Sequence, residues 1–242
     1  MKRILTGIGG SQDGCFIILF LKGDFYMKVG LIHTTLNSVE PSNAAFRKID
    51  SGIEIVNYLN EGIMPELRST GASSRIMSEM MQLVWAAERA GCQGIMLNCS
   101  LMSPYAADMA RLVNIPLISA DIAMLEYVAA HASRVAVLAT VAKAGPTTAK
   151  LLQNIAAGQG KKIDVEVKIA EGAFEALNNG DEKSHNQIIQ ESARAYDGKV
   201  DLIVFAQISM VRALAGLRQQ TQVVTSPEIS ANTLLERIRG GA

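Results

Sequence analysis

The chain is poor in cysteine, in aromatic residues and in net charge, and each scarcity excludes a class of function. Three cysteines, Cys15, Cys92 and Cys99, are too few and too scattered for a disulfide framework. Their odd number, without a convincing secretion signal, fits a reducing, cytoplasmic setting. No pair of Cys or His residues has metal-ligand spacing, and His33, His131 and His185 lie far apart, so no metal or other cofactor is expected. Lys+Arg and Asp+Glu both total 23, which leaves no field to draw nucleic acid or an anionic membrane. No block of like charges stands out either. Aromatic residues make up only 5%, an argument against base-stacking platforms.

Long hydrophobic runs are missing too. The longest near the amino terminus, Phe16 to Leu21, is far too short to span a bilayer. It follows a basic start, Lys2 and Arg3, but no small-residue cleavage site follows it, so a secretory role is not expected. Gly7, Gly9 and Gly10 form a glycine-rich patch without the strand, helix and acidic residue of a dinucleotide site. Met27-Lys28-Val29-Gly30 reads as the start of a first strand, and residues 1–26 are expected to be an extension with no part in catalysis.

What is present is an ordinary globular balance, 49% apolar and 19% charged, in a chain long enough for two domains. From Met27 onward, short apolar runs alternate with amphipathic patterns, which predicts an α/β fold with mainly parallel sheets. Strands are expected at Val29–His33, Ile53–Tyr58, Gly94–Asn98 and Ile115–Ser119, with a helix over Ser73–Arg89 closed by Gly91. Ser103-Pro104 looks like an N-cap and first helical position, opening a helix to about Val113. The pattern then recurs: strands at Arg134–Thr140, Ile163–Ile169, Asp201–Ala206 and Gln222–Thr225. Helices are expected between them at Thr147–Ala157, Lys183–Tyr196 and Met210–Gln219, and a last helix after them.

The halves match in register. The run Gly94 to Cys99 lies over Leu202 to Gln207, and Lys28–Thr34 lies over Arg134–Thr140. An internal duplication is the economical reading. The expected division is 1–26 as the extension, 27–125 and 126–225 as the two α/β domains, and 226–242 as a C-terminal helix packing back on the first domain. Ligands of open parallel sheets collect beyond the carboxyl ends of the strands. Two such sheets face to face enclose a cleft, and the loops to inspect are His33-Thr34-Thr35, Asn98–Met102, Thr140–Lys143 and Gln207–Met210.

Cys99 ends an apolar strand just before the expected helix, where unpaired N–H groups and a helix dipole favour thiolate and a lowered pKa. A strand-end cysteine that merely packs is the competing reading. Ser100 and Ser103 suit a small carboxylate nearby. Cys92, at the helix–strand junction Gly91–Gly94, reads as packing. His185 falls in a polar stretch and reads as solvated, and His131 closes an alanine-rich helix. His33 is expected to point from strand one into the cleft.

These loops resemble the aspartate/glutamate/hydantoin racemase superfamily. Leu97-Asn98-Cys99-Ser100 is similar to its first cysteine loop, and Val137-Leu138-Ala139-Thr140 to the strand whose threonine loop contacts substrate. Phe205-Ala206-Gln207-Ile208-Ser209-Met210 occupies the place of the second cysteine loop. Gly172-Ala173-Phe174 and Thr225-Ser226-Pro227 are also similar to it, and the likeness runs from Met27 to the C-terminus. The resemblance implies two pseudo-symmetric flavodoxin-like domains with a cleft between them. It also implies cofactor-independent proton transfer at the carbon next to a carboxylate, and is compatible with a homodimer. In two-cysteine members one thiolate removes the α-proton and the other thiol returns one on the opposite face.

Here the aligned residue is Gln207, whose amide is neither acid nor base near neutral pH, and Lys143 replaces what is often a threonine. The implied catalytic residues are Cys99 and Gln207, Cys99 as single acid, base or nucleophile and Gln207 as a hydrogen-bond donor. Substrate contacts fall to His33, Thr34, Asn98, Ser100, Thr140 and Ser209. The expected enzyme is an isomerase of the racemase kind acting on a small amino acid or diacid. The alternatives are a one-cysteine decarboxylase-type relative and a carboxylate-binding protein without catalysis.

Overall fold

A computed structural model describes residues 27–240, so the expectation for the 1–26 extension, Cys15 included, lies outside the described residues. The strands are β1 (Lys28–His33), β2 (Glu54–Leu59), β3 (Gly94–Asn98), β4 (Leu117–Ser119), β5 (Arg134–Ala139), β6 (Asp164–Ile169), β7 (Leu202–Phe205) and β8 (Val223–Val224). The helices are α1 (Val39–Ile49), α2 (Met64–Ser69), α3 (Ser74–Arg89), α4 (Ala106–Ala110), α5 (Ile122–His131), α6 (Ala144–Gly158), α7 (Ala173–Asn178), α8 (Glu182–Arg194) and α9 (Ser226–Gly240). Short 3-10 turns sit at Leu36–Ser38, Glu61–Ile63, Ser103–Tyr105 and Ile208–Leu214.

Two four-stranded sheets form, in the orders β2-β1-β3-β4 and β6-β5-β7-β8, and every pairing is parallel. The topologies are identical, the geometric form of the sequence duplication. The central strands β1, β3, β5 and β7 are apolar almost throughout because helices cover both faces. Ile76, Met80, Val84 and Ala87 turn one face of α3 onto the first sheet, with the Ser73 side chain capping the helix by accepting from the N–H of Ile76. The α3 methionines are core, and Cys92 packs beside Gly30 and Ala87.

The last helix crosses back. Ala231, Leu234 and Leu235 of α9 are buried with Val29, Leu31 and Met96 of the first sheet, and a Cβ at Gly94 would fall 2.7 Å from Ile238. The helix α5 joins the other half, burying Met124, Leu125 and Val128 against Val135, Val137 and Leu152. A boundary at residue 125 would therefore cut α5 in two.

Three local expectations need correction. The helix expected from Ser103 to Val113 is a 3-10 turn and the five residues of α4. The helix expected at Met210–Gln219 is a 3-10 segment, Ile208–Leu214, tied by the Arg212 guanidinium donating to the Asn37 carbonyl at 2.9 Å. His185 is not solvated but fully buried, with Nδ1 2.9 Å from the Ala173 carbonyl oxygen, and burial pulls its pKa down. The residue lies one turn before Ile189 and two before Ser192 and Ala193, on the face that α8 turns inward. Among the described residues, no helix is long and apolar enough to cross a membrane.

Candidate active site

The carboxyl ends of β1, β3, β5 and β7 converge on a cavity of about 50 Å3, room for roughly four waters or a small organic acid. Its wall holds seven of the eight residues expected there: Thr34, Asn98, Cys99, Ser100, Thr140, Gln207 and Ser209. Through Thr34, Thr35, Met64, Val141 and Phe174 it opens into an outer cleft of about 760 Å3, where Arg68 and Lys143 stand.

The eighth residue, His33, does not line the cavity. It is fully buried, Nδ1 2.7 Å from Ser38 Oγ and Nε2 3.0 Å from Asn57 Oδ1 and 3.4 Å from Asn98 Nδ2. As the register partner of Asn98, it supports that residue's amide. Burial lowers its pKa to about 4, so the ring is neutral at physiological pH.

Cys99 corrects the expected thiol chemistry. Burial pushes its pKa up. The counteracting donors are the Thr34 hydroxyl and the backbone N–H groups of Leu101 and Met102, which bond the sulfur. The helix behind it is too short to supply the dipole that the sequence pattern promised.

Across the cavity, register places Thr140 and Gln207 as Thr34 and Cys99 are placed in the first half. Gln207 Oε1 accepts from the Thr140 backbone N–H at 2.8 Å, and Gln207 Nε2 donates to Thr140 Oγ1 at 3.1 Å. Because that hydroxyl accepts from the amide, its own proton is free to point at a ligand. Gln207 thus spends both ends of its amide on Thr140.

Asp121, just past β4, is a wall residue that pattern reasoning missed. Ser103 Oγ donates to its Oδ2 at 2.9 Å, and Ser119 Oγ donates to Ser103 Oγ at 2.5 Å. Burial raises its pKa to about 6. A lone aspartate after a three-residue strand carries no motif; the only signal was a pair of polar residues, Ser119 and Asp121, on either side of Ala120 at a strand's carboxyl end.

At the mouth the two halves touch. Asn37 Nδ2 donates to Asn178 Oδ1 at 2.7 Å, and the Lys143 ammonium donates to the Ser69 carbonyl. Arg68 lies 4.5 Å over the Phe174 ring and 3.5 Å from Glu175. Gly172, at φ 81°, makes the left-handed turn that starts α7 and delivers Phe174 to the neck.

Comparison with known proteins agrees with this architecture. The family model described as Asp/Glu/Hydantoin racemase matches residues 32–234. An aspartate racemase homologue from Pyrococcus horikoshii OT3 is 20% identical, with TM-score 0.65, covering 88% of this chain and 99% of that one. Glutamate racemase RacE1 from Bacillus anthracis is 10% identical, with TM-score 0.71 over 90% of this chain and 83% of its own. Allantoin racemase from Klebsiella pneumoniae is 16% identical, with TM-score 0.67 over 89% of each chain. Comparison with curated proteins gives no match.

Proposed function

The chain belongs to the Asp/Glu/hydantoin racemase family and is a racemase-type enzyme, and we propose that it moves the α-proton of a small carboxylate on one face only, with Cys99 as its single acid–base thiol. The observation that carries this reading is the asymmetry of the cavity: a thiol at one strand end, and at the matching end a glutamine that braces a threonine.

In this mechanism the substrate carboxylate is held by the hydroxyls of Ser100, Thr140 and Ser209. The Cys99 thiolate takes the α-proton, becoming the thiol, and the electron pair passes into the carboxylate as an enediolate. Hydroxyl donors that tighten as charge grows on those oxygens lower the barrier. The thiol then returns a proton to the same carbon. Gln207 has no proton to deliver to the opposite face. A free thiol suits a reducing, cytoplasmic setting, and Cys92 and Cys99 are both unpaired.

Incubation with small amino acids and diacids in deuterated water tests the reading. The expected result is α-deuterium incorporation with retention, abolished in Cys99→Ala. No exchange on any substrate, or full exchange in that variant, would sink it.

One observation favours a second reading, a binding protein without catalysis: burial holds Cys99 towards the neutral thiol. Tight carboxylate binding with a thiol that resists alkylation even at alkaline pH would support it.

A further inference from the structure

Two buried groups in the wall of the inner cavity have no part in the proton transfer described above, although the charge of one of them, Asp121, adds to the upward shift of the Cys99 thiol. The first is the Asp121 carboxylate. It is 3% exposed, and its one well-made hydrogen bond comes from Ser103; Ser119 Oγ stands farther off, 3.4 Å from Oδ1. A carboxylate offers about four lone-pair sites, so most of its accepting capacity is unused. The second is Asn98 Oδ1. The side chain is 5% exposed, its Nδ2 faces His33, and Oδ1 is buried with no partner among the described residues. An acceptor left that way costs about 1–3 kcal/mol unless something fills it.

Among the described residues, no lysine, arginine or histidine lines the inner cavity. The nearest cations stand in the outer cleft and are engaged, Arg68 with Glu175 and Phe174, Lys143 with the Ser69 carbonyl. A dianion entering the chamber would meet Asp121 and Cys99, both acids, with no countercharge in the wall. Burying unpaired charges of one sign is strongly unfavourable. A zwitterion reverses the balance: its carboxylate takes the hydroxyls, and its ammonium, with three donors, has two waiting acceptors. The small volume of the chamber leaves little space for more.

We propose that Asp121 and Asn98 form a subsite for the α-ammonium group of the substrate, so that the inner cavity selects a small amino acid with an uncharged side chain over a diacid or a hydroxy acid. This rests on the reading of the cavity as the place of chemistry beside a carboxylate. Burial raises the Asp121 pKa to about 6, which still leaves the group ionised at neutral pH.

The test is a calorimetric titration of the full chain at neutral pH with L-alanine, D-alanine, L-lactate and maleate. Alanine of at least one hand should bind more tightly than lactate by roughly tenfold to hundredfold, the range that a hydrogen bond to a charged group supplies. Maleate should bind no better than lactate. Asp121→Asn should remove most of the preference, and Asn98→Leu part of it. Lactate or maleate matching alanine, binding of none of the four, or a preference unchanged in both variants would overturn the proposal. Should either variant fail to fold, the ligand series on the unaltered protein still decides. The two readings fail separately. Deuterium exchange on lactate without an alanine preference removes the subsite and leaves Cys99 in place. An Asp121-dependent alanine preference without exchange does the reverse.

Discussion

Gln207 closes both ends of its amide on Thr140, at the position where the other half of the molecule sets Cys99 beside Thr34. The pair is the same in register and different in chemistry. In the first half a threonine hydroxyl donates to a thiol. In the second an amide donates to a threonine hydroxyl, which keeps its own proton for another acceptor.

Replacing Gln207 with leucine removes both bonds and leaves the Thr140 N–H unpaired. The loss should cost about 1–3 kcal/mol in chemical denaturation. It should raise KM more than it lowers kcat, because the carboxylate loses a positioned donor while the thiol stays. An unchanged KM would show that Thr140 does not hold substrate.

Gln207→Cys restores a thiol opposite Cys99. Exchange with retention should become true racemisation, followed by chiral chromatography alongside NMR in deuterated water. Retention persisting in this variant would mean that the opposite face is out of its reach.

The Cys99 thiol should titrate above the free value of about 8.5, since its shift is upward and burial is the main cause. Alkylation and deuterium exchange should therefore climb with pH past neutrality. Thr34→Val removes a donor that favours thiolate, so its profile should move further to the alkaline side. A plateau already reached at neutral pH would contradict the assignment.

Two buried groups pull stability in opposite directions over one pH window. Asp121 is raised from 3.8 to about 6, so the folded state holds a proton that the unfolded chain releases, and stability falls as pH climbs through that interval. His33 is lowered from 6.5 to about 4, so the unfolded chain takes up a proton that the fold refuses, and stability falls as pH drops. In the unaltered protein the two largely cancel. Asp121→Asn should unmask a stability that rises with pH, and His33→Gln one that falls. Each slope should differ from the unaltered protein's by up to about 1.4 kcal/mol per pH unit. Denaturant midpoints at pH 4.5 and 6.5 measure this, and parallel profiles in all three proteins would refute it.

The sheets were legible because an apolar run bounded by helical periodicity leaves few alternatives, and their duplication doubled the signal. The elements α2, α4 and α7 were not, since five or six residues span less than two turns and show no period. Register alone brought Thr34, Cys99, Thr140 and Gln207 to one cavity. It could not reveal whether His33 faced the cavity or stood behind it, because that depends on the Ser38 and Asn57 side chains that claim its ring. Nor did the sequence show how deep Cys99 lies, and depth reversed the direction of its shift. His185 was missed through its polar neighbours, although its spacing from Ile189 and Ala193 marked an inward face.

Gly94→Ala probes the contact between the last helix and the first sheet. The new methyl would fall 2.7 Å from Ile238 Cδ1 and 2.9 Å from Leu234 Cδ1. An overpacking cost of about 1–3 kcal/mol is expected. No change in thermal midpoint would show that α9 shifts freely.

That contact also sets an order of events during synthesis. The strands of the first sheet are made early, yet one of their faces is covered by Ala231, Leu234 and Leu235, which are made after the whole second sheet. The second sheet waits almost as long, since β8 directly precedes α9. The cavity also needs Thr140, Gln207 and Ser209 from the second half. The nascent Cys99 thiol therefore has no finished pocket until both halves and α9 have been made.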